Sequence, residues 1–213
     1  MANQKKINYH QLMKEKIAGL DHKPTMLLHV CCGPCLCIPL TYLYGHFDIT
    51  IMYNNSNIYP ASEYVRRRDE MKRYLKDINI SLPIVEPKYD NEAYNKCLEP
   101  HKDDIEGRTR CFICYEKRIT EAFEYAEKNG FEYVCSVMSI SRYKNAQKIN
   151  EIGYRLETKF PTVKWLPCDF KKENGYENEL VICKKFNLYF QEYCGCKYSY
   201  KKYLEKQENK AEK

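Results

Sequence analysis

Short apolar runs alternate with longer segments of helical periodicity along most of this chain. Runs of strand length that are apolar or rich in β-branched and aromatic residues occur at residues 26–30, 48–53, 82–85, 131–137 and 163–166. Helical spacing of apolar residues occurs from Leu36 onward with an early break at Pro39, at 62–78, 110–130, 149–156 and 177–190, and in a terminal helix from Tyr200. Strands that alternate with helices in this way predict an α/β fold, a three-layer sandwich around a mostly parallel sheet.

The chain length suits one α/β domain. A chain of 213 residues can bury a sizeable core, and nothing in the pattern requires a second one. We expect residues 1–23 to form a polar, peripheral arm with a weak helical pattern, residues 24–200 to form the domain, and residues 201–213 to form a charged tail. Ser62 is the expected N-cap of the helix that follows the second strand.

Polar or cysteine-bearing loops follow three of the predicted strands. They occupy residues 31–35, 54–57 and 139–145. The carboxyl ends of parallel strands meet at one edge of a sheet, where ligands usually bind. We therefore expect a functional site at that edge, with thiols in it.

Composition narrows the possible environments. The net charge of +6 is dispersed along the chain, so it permits an RNA partner without establishing one. No apolar stretch is long enough for a bilayer span, and residues 1–23 lack the apolar centre of a secretory signal, so we expect a cytoplasmic protein with no membrane partner. In that reducing compartment, twelve cysteines indicate metal ligands or a redox pair rather than a disulfide framework.

Two cysteine motifs have the spacing of metal ligands. Cys111 and Cys114 form a C-x-x-C pair at a predicted helix N-terminus, where positive potential is expected to lower the pKa of both thiols. Cys31 and Cys32 are adjacent and point in different directions, so they suit two irons of a cluster better than two corners of one zinc site. This favours an iron-sulfur cluster held by four thiolates, with a zinc site as the alternative.

The motif Cys194-Gly195-Cys196 indicates a different chemistry. One intervening glycine allows a strained, easily reduced disulfide, and disulfides of that kind are usually catalytic or regulatory. The alternatives are that both thiols bind metal or that neither has a chemical role. The cysteines without comparable neighbours are expected to be packing or surface residues.

Several motifs between residues 26 and 199 resemble, in the same order, those of the QueH-type epoxyqueuosine reductases. These motifs contain His29 to Cys35; Asn57, Tyr64 and Arg67; Arg110, Cys111 and Cys114; Arg142, Tyr143 and Lys144; and Cys194 and Cys196. The resemblance implies a Rossmann-like fold of the adenine-nucleotide α-hydrolase type. It also implies an oxidoreductase that reduces epoxyqueuosine to queuosine at the wobble position of tRNA, the last step of queuosine biosynthesis. The partner is then a tRNA that carries epoxyqueuosine, and the electron donor stays open.

The same resemblance implies which thiols hold which group. The ligands of a [4Fe-4S] cluster would be Cys31, Cys32, Cys111 and Cys114. The redox-active pair would be Cys194 and Cys196, and Cys35 would contribute to a second iron beside the cluster.

The resemblance also supplies candidates for substrate binding. They are Asn57, Tyr64, Arg67, Arg110, Arg142, Tyr143 and Lys144. Ser56 and Arg108 depart from the family pattern, which affects the expected loop geometry and substrate contacts rather than the thiols. Two other functions fit part of the pattern: a zinc-stabilised RNA-binding protein without chemistry, and a thiol-disulfide oxidoreductase that acts on protein partners.

Overall fold

A computed structural model describes residues 6–211 of the chain. Its sheet is formed by five strands, β1 (Thr25–His29), β2 (Asp48–Met52), β3 (Ile84–Val85), β4 (Tyr133–Ser136) and β5 (Lys164–Trp165). The strands lie in the order β3-β2-β1-β4-β5, and every pairing is parallel. The predicted α/β fold is confirmed, and the sheet is parallel throughout.

The central strand β1 shows why the sheet is covered on both faces. Its residues from Met26 onward are fully buried, as expected for a continuous apolar run in a central parallel strand. Successive side chains alternate, so Leu27 enters one hydrophobic core while Met26 and Leu28 enter the other. At its carboxyl end, His29 lies beside Met52 of β2 and Ser136 of β4.

The helices cover the two faces of the sheet. They are α1 (Tyr9–Ala18), α2 (Gly33–Leu43), α3 (Ala61–Asp77), α4 (Asn91–Lys96), α5 (Thr109–Lys128), α6 (Ala146–Glu157), α7 (Gly175–Lys185) and α8 (Lys197–Ala211). Helices α2, α3 and α7 pack on one face, and α5 and α6 pack on the other. In the described range, no helix is both long enough and apolar enough to span a bilayer.

Helix α2 begins earlier than the sequence predicted. It starts at Gly33 rather than at Leu36, and it continues through Pro39 instead of breaking there. Pro34 is tolerated in the first turn because the N–H that it lacks would have no partner within the helix. As a result, Cys35 lies in the first turn of α2, directly above the end of β1.

Other predicted boundaries were also wrong. Ser62 lies inside α3, because the Pro60 carbonyl already accepts the first helical hydrogen bonds at the N-cap position. The helix predicted at 177–190 ends at Lys185, where Asn187 adopts a left-handed conformation (φ 47°) and terminates it. The stretch 89–109, for which no helix was predicted, contains the short helix α4.

The two chain ends contribute more structure than an arm and a tail. Residues 9–18 form α1, and its Met13 is buried in the same core as α2. Residues 201–211 continue α8, which begins at Lys197. Residues 1–5 of the predicted arm and residues 212–213 of the predicted tail lie outside the described range.

Candidate metal and redox site

A cavity of about 270 Å³ lies at the carboxyl edge of the sheet. Residues that follow β1, β2 and β4 line one side of it, and α5, α7, the segment 190–194 and α8 line the rest. Thiols from three separate segments reach this cavity, those of Cys31 and Cys35, Cys111, and Cys194. The expected site at the strand ends is therefore present, with cysteines in its wall.

Three buried thiols converge where β1 meets α2. The Sγ atoms of Cys31, Cys32 and Cys35 all lie within 4.8 Å of one another, and those of Cys31 and Cys32 are 3.8 Å apart. The approach of α2 to α3 fixes this turn, because a Cβ on Gly33 would lie 3.2 Å from the Glu70 carbonyl oxygen. This is the only group of three cysteine, histidine or acidic residues with that spacing in residues 6–211.

The three thiols differ in the direction in which their pKa values are shifted. Hydrogen bonds from Cys32 and Cys35 hold the pKa of the Cys31 thiol well below its usual range. Burial raises the pKa of Cys32, and the hydrogen bond to Cys31 raises the pKa of Cys35. A metal ion that binds this group would displace the remaining protons, since thiolates are the ligands.

Cys111 and Cys114 lie in the first two turns of α5. The Sγ of Cys111 accepts a hydrogen bond from the Gly107 N–H at 3.2 Å, and that of Cys114 accepts one from the Tyr94 hydroxyl at 3.2 Å. Burial raises the pKa of both thiols, so the expected lowering at the helix N-terminus was wrong. The two donated hydrogen bonds would nevertheless stabilise thiolates once a metal is bound.

The predicted ligand set and the close thiol group overlap without being identical. Cys31 and Cys32 belong to both, whereas the structure adds Cys35 to the close group and leaves Cys111 and Cys114 outside the 4.8 Å limit. Ligands of one ion must lie that close, but ligands on separate irons of a cluster need not. The four-thiol cluster site stays a prediction, as does the role of Cys35.

The Cys194-Gly195-Cys196 loop is held in place by Arg67. The guanidinium of Arg67 donates to the Cys194 carbonyl at 3.1 Å, and its Nε donates to Glu63 at 2.7 Å. Gly195 has a φ of 119° and a Cβ there would lie 3.0 Å from the Arg67 guanidinium, so the position requires glycine. Burial raises the pKa of Cys196 to about 11, so this thiol is protonated at neutral pH.

The predicted substrate-binding residues divide into two groups. Asn57 lines the cavity, and its buried side-chain oxygen has no partner among the described residues. Tyr64 and Arg110 lie outside the lining. Tyr64 packs between two tyrosine rings, and Arg110 donates to three backbone carbonyls at 2.7–3.1 Å.

Arg142, Tyr143 and Lys144 form one rim of the cavity. Arg142 is exposed and donates to the Tyr143 hydroxyl at 2.7 Å, and the Tyr143 ring is 70% exposed. Lys144 is half-buried; burial opposes its charge, but its proximity to Cys194, Cys31 and Cys35 raises its pKa above the usual range. The rim thus offers cations and an exposed aromatic face.

Two residues of the cavity wall were missed by sequence reasoning. Arg118 is 2% exposed and lies one helical turn after Cys114 on α5. Glu179 of α7 is also 2% exposed, and burial raises its pKa to about 9, so its carboxyl is protonated at neutral pH. Arg118 could have been found from the sequence, because it follows the cysteine pair by one helical turn and adjoins the apolar stripe of the predicted helix. The sequence carried no comparable signal for Glu179.

The residues present fit a metal-thiolate group. Close thiolates repel one another and close thiols oxidise readily, so the convergence of Cys31, Cys32 and Cys35 suits a metal site better than packing alone. The buried Nε of Arg118 has no partner in the described part of the chain, although anionic sulfur would supply one. Packing alone accounts for neither observation.

Comparison with known proteins identifies similar sequences over nearly the whole chain. Residues 26–202 match the family model described as epoxyqueuosine reductase QueH. The protein named epoxyqueuosine reductase QueH from Streptococcus pyogenes serotype M1 is 36% identical over 203 residues, which cover 92% of this chain and 79% of that protein. Proteins of the same name are 37% identical in Staphylococcus aureus strain Mu50 (92% and 85% covered) and 32% identical in Thermotoga maritima (88% and 95% covered).

A solved structure supports the fold. The U34-tRNA thiolase NcsA from Methanococcus maripaludis, determined with its [4Fe-4S] cluster, superposes with a TM-score of 0.52 at 13% identity and covers 89% of this chain and 67% of its own. At that identity the likeness concerns the fold alone. It agrees with the Rossmann-like α/β architecture expected from the sequence.

Proposed function

Because this chain belongs to the epoxyqueuosine reductase QueH family, we propose that it reduces epoxyqueuosine to queuosine at the wobble position of tRNA. The observation that carries the proposal is the single cavity lined by Cys31, Cys35, Cys111 and Cys194 beside basic side chains. The enzyme is then an oxidoreductase, its partner is tRNA, and its location is the cytoplasm, where tRNA is modified. Residues 24–200 are proposed as its catalytic domain.

Metal binding is proposed at the thiols of α2 and α5. Cys31, Cys32, Cys111 and Cys114 would hold a [4Fe-4S] cluster, and Cys35 would contribute to an adjacent second iron. When bound, these groups would supply one-electron transfer and a Lewis acid for the epoxide oxygen. The protein contributes the buried surroundings and the hydrogen bonds from Gly107 and Tyr94 that favour thiolate ligands.

Cys194 and Cys196 are proposed as the redox-active pair. Conversion of an epoxide to an alkene takes up two electrons and two protons and releases the oxygen as water. Oxidation of two thiols to a disulfide releases two electrons and two protons, so the pair matches this requirement in one turnover. An external reductant must then return the disulfide to thiols before the next turnover. The hold of Arg67 on the loop supports this role, because it fixes Cys194 at the cavity wall.

The rim residues are proposed to bind the modified nucleotide. A wobble base must leave the anticodon stack to reach a cavity of about 270 Å³ at the sheet edge. The exposed ring of Tyr143 can stack on a base, and Arg142 and Lys144 can contact phosphates. Asn57 offers an unpaired side-chain oxygen for a hydrogen-bond donor on the substrate. Tyr64, whose ring packs against Tyr53 and Tyr89, and Arg110, whose guanidinium donates to backbone carbonyls, are proposed to support these loops rather than touch the substrate.

One observation favours a second candidate function. A 3.8 Å separation between Cys31 and Cys32 also suits two thiolate ligands of a single zinc ion, since zinc-sulfur bonds are about 2.3 Å long and tetrahedral. A zinc-stabilised RNA-binding protein would need no redox pair. The metal content therefore decides between the two functions.

The test uses protein purified and kept under anaerobic conditions. We expect a brown protein that contains iron and sulfide and converts epoxyqueuosine to queuosine in tRNA when a low-potential reductant is supplied, as measured by mass spectrometry of the nucleosides. The variant Cys31→Ser should lose cluster absorbance and activity, whereas Cys97→Ser, which removes an exposed lone thiol, should keep both. A colourless zinc protein that binds tRNA without converting it would support the second candidate instead.

A further inference from the structure

Arg118 is a buried cation without an acidic partner. Its side chain is 2% exposed on α5, and no carboxylate lies within 4 Å of its guanidinium among the described residues. One Nη donates to the Asn55 side-chain oxygen, while the buried Nε has no partner. An unpaired charge in a protein interior is costly, so a compensating anion is expected close by.

The other buried arginines of this region differ in that respect. Arg67 pairs with Glu63 at 2.7 Å and also donates to two backbone carbonyls. Arg110 donates to three carbonyls and lies 4.4 Å from the ring of Tyr198. Neither Arg67 nor Arg110 has a buried guanidinium nitrogen without a partner among the described residues, whereas Arg118 has one.

Thiol groups face Arg118. Burial opposes its charge, but Cys114 and Cys31, followed by Tyr94 and Cys194, together raise its pKa above the usual range. Arg118 lines the same cavity wall as Cys31, and Lys144 faces some of the same thiols from the rim. The cation therefore lies on the same helix as Cys111 and Cys114 and lines the same cavity as Cys31.

We propose that Arg118 supplies the fixed positive charge that balances the metal-thiolate group and raises its reduction potential, with Asn55 orienting the guanidinium. The proposal rests on the iron-sulfur cluster of the proposed function. A cluster with four thiolates carries net negative charge, and an added electron increases it, so a nearby buried cation stabilises the reduced form more than the oxidised form. Arg118 acts through the metal group, which makes it a positioning residue rather than a catalytic one.

The test compares reduction potentials of full-length proteins that retain their iron. Wild type, Arg118→Gln, Arg118→Lys and the control Lys117→Gln are purified anaerobically, their iron is measured, and they are titrated with dithionite and mediators while the cluster absorbance is followed. At a fixed solution potential, the ratio of reduced to oxidised cluster in Arg118→Gln should fall by roughly tenfold. Because Arg118→Lys keeps the positive charge, its ratio of reduced to oxidised cluster should stay close to that of the wild type.

Lys117→Gln removes a charge from the same helix at a partly exposed position. Lys117 pairs with Glu121 at 3.1 Å, where solvent screens it, so this variant should match the wild type. A wild-type ratio in Arg118→Gln overturns the proposal, and so does a ratio in Arg118→Lys as low as that in Arg118→Gln. If Arg118→Gln retains no cluster, the result for Arg118→Lys decides. Iron content and reduction potential equal to those of the wild type in Arg118→Lys would support the role of the positive charge, and loss of iron from Arg118→Lys would overturn the proposal. Absence of iron from the wild type would instead contradict the cluster in the proposed function.

Discussion

Replacement of Glu179 with Gln should remove a pH-dependent loss of stability. Burial, followed by the thiolates of Cys183 and Cys31, raises the pKa of Glu179 from 4.5 to about 9, and Lys144 opposes the rise. The folded protein thus keeps a proton that the unfolded chain releases above pH 4.5. The stability that this proton contributes is fully present below pH 4.5 and is lost as the pH rises through about 9.

The expected size follows from the shift. Each pH unit between the two pKa values should lower the free energy of unfolding of the wild type by about 1.4 kcal/mol relative to Glu179→Gln, which has a similar shape and does not titrate. From pH 6 to pH 8, the free energy of unfolding of Glu179→Gln should therefore rise by about 3 kcal/mol relative to that of the wild type. Urea denaturation under anaerobic conditions at the two pH values measures the difference.

A matched control is available on the same helix. Glu177 is exposed on α7, so Glu177→Gln should follow the wild type at both pH values. If the free energy of unfolding changes equally for Glu179→Gln and the wild type between pH 6 and pH 8, the carboxyl of Glu179 is not held protonated and the reasoning fails.

Three further changes test other parts of the molecule. Gly153→Ala should lower the free energy of unfolding by about 2 kcal/mol or more in urea denaturation, because its Cβ would lie 2.2 Å from the buried Trp165 ring; an unchanged midpoint would contradict this packing. Cys196→Ser should keep the iron content and permit one turnover while abolishing multiple turnovers, whereas a fall in iron would make Cys196 a metal ligand. Arg142→Ala should weaken tRNA binding and reduce the slope of log affinity against log salt by about one, and an unaltered slope in filter-binding assays would remove Arg142 from the interface.

Local pattern was sufficient for the architecture of the fold. Each predicted apolar run contains a strand, because a run buried on both faces of a parallel sheet carries its own signal. The errors lie at helix ends and in the stretch that contains α4. The sequence Gly33-Pro34 predicts a reversal of the chain, yet both residues belong to the first helical turn of α2. Proline is tolerated there, and glycine allows the close approach of α2 to α3.

The sequence by itself also determined where the reactive residues would gather. Thiols placed directly after β1 and at the start of α5 must come to the carboxyl edge of a parallel sheet, whatever the details of packing. Family motifs then indicated the chemistry. Neither argument required knowledge of a contact between distant residues.

Only the tertiary structure decided which side chains are free to act. Arg67 and Arg110 look alike in sequence as basic residues near motifs, but the folded loops engage both guanidinium groups with carbonyls and, for Arg67, a carboxylate. Arg118 and Glu179 are ordinary charged helix positions until α5 and α7 bury them beside thiols from segments about 75 to 150 residues away. Burial and unpaired charge arise from contacts between residues distant in sequence, so no local pattern could reveal them.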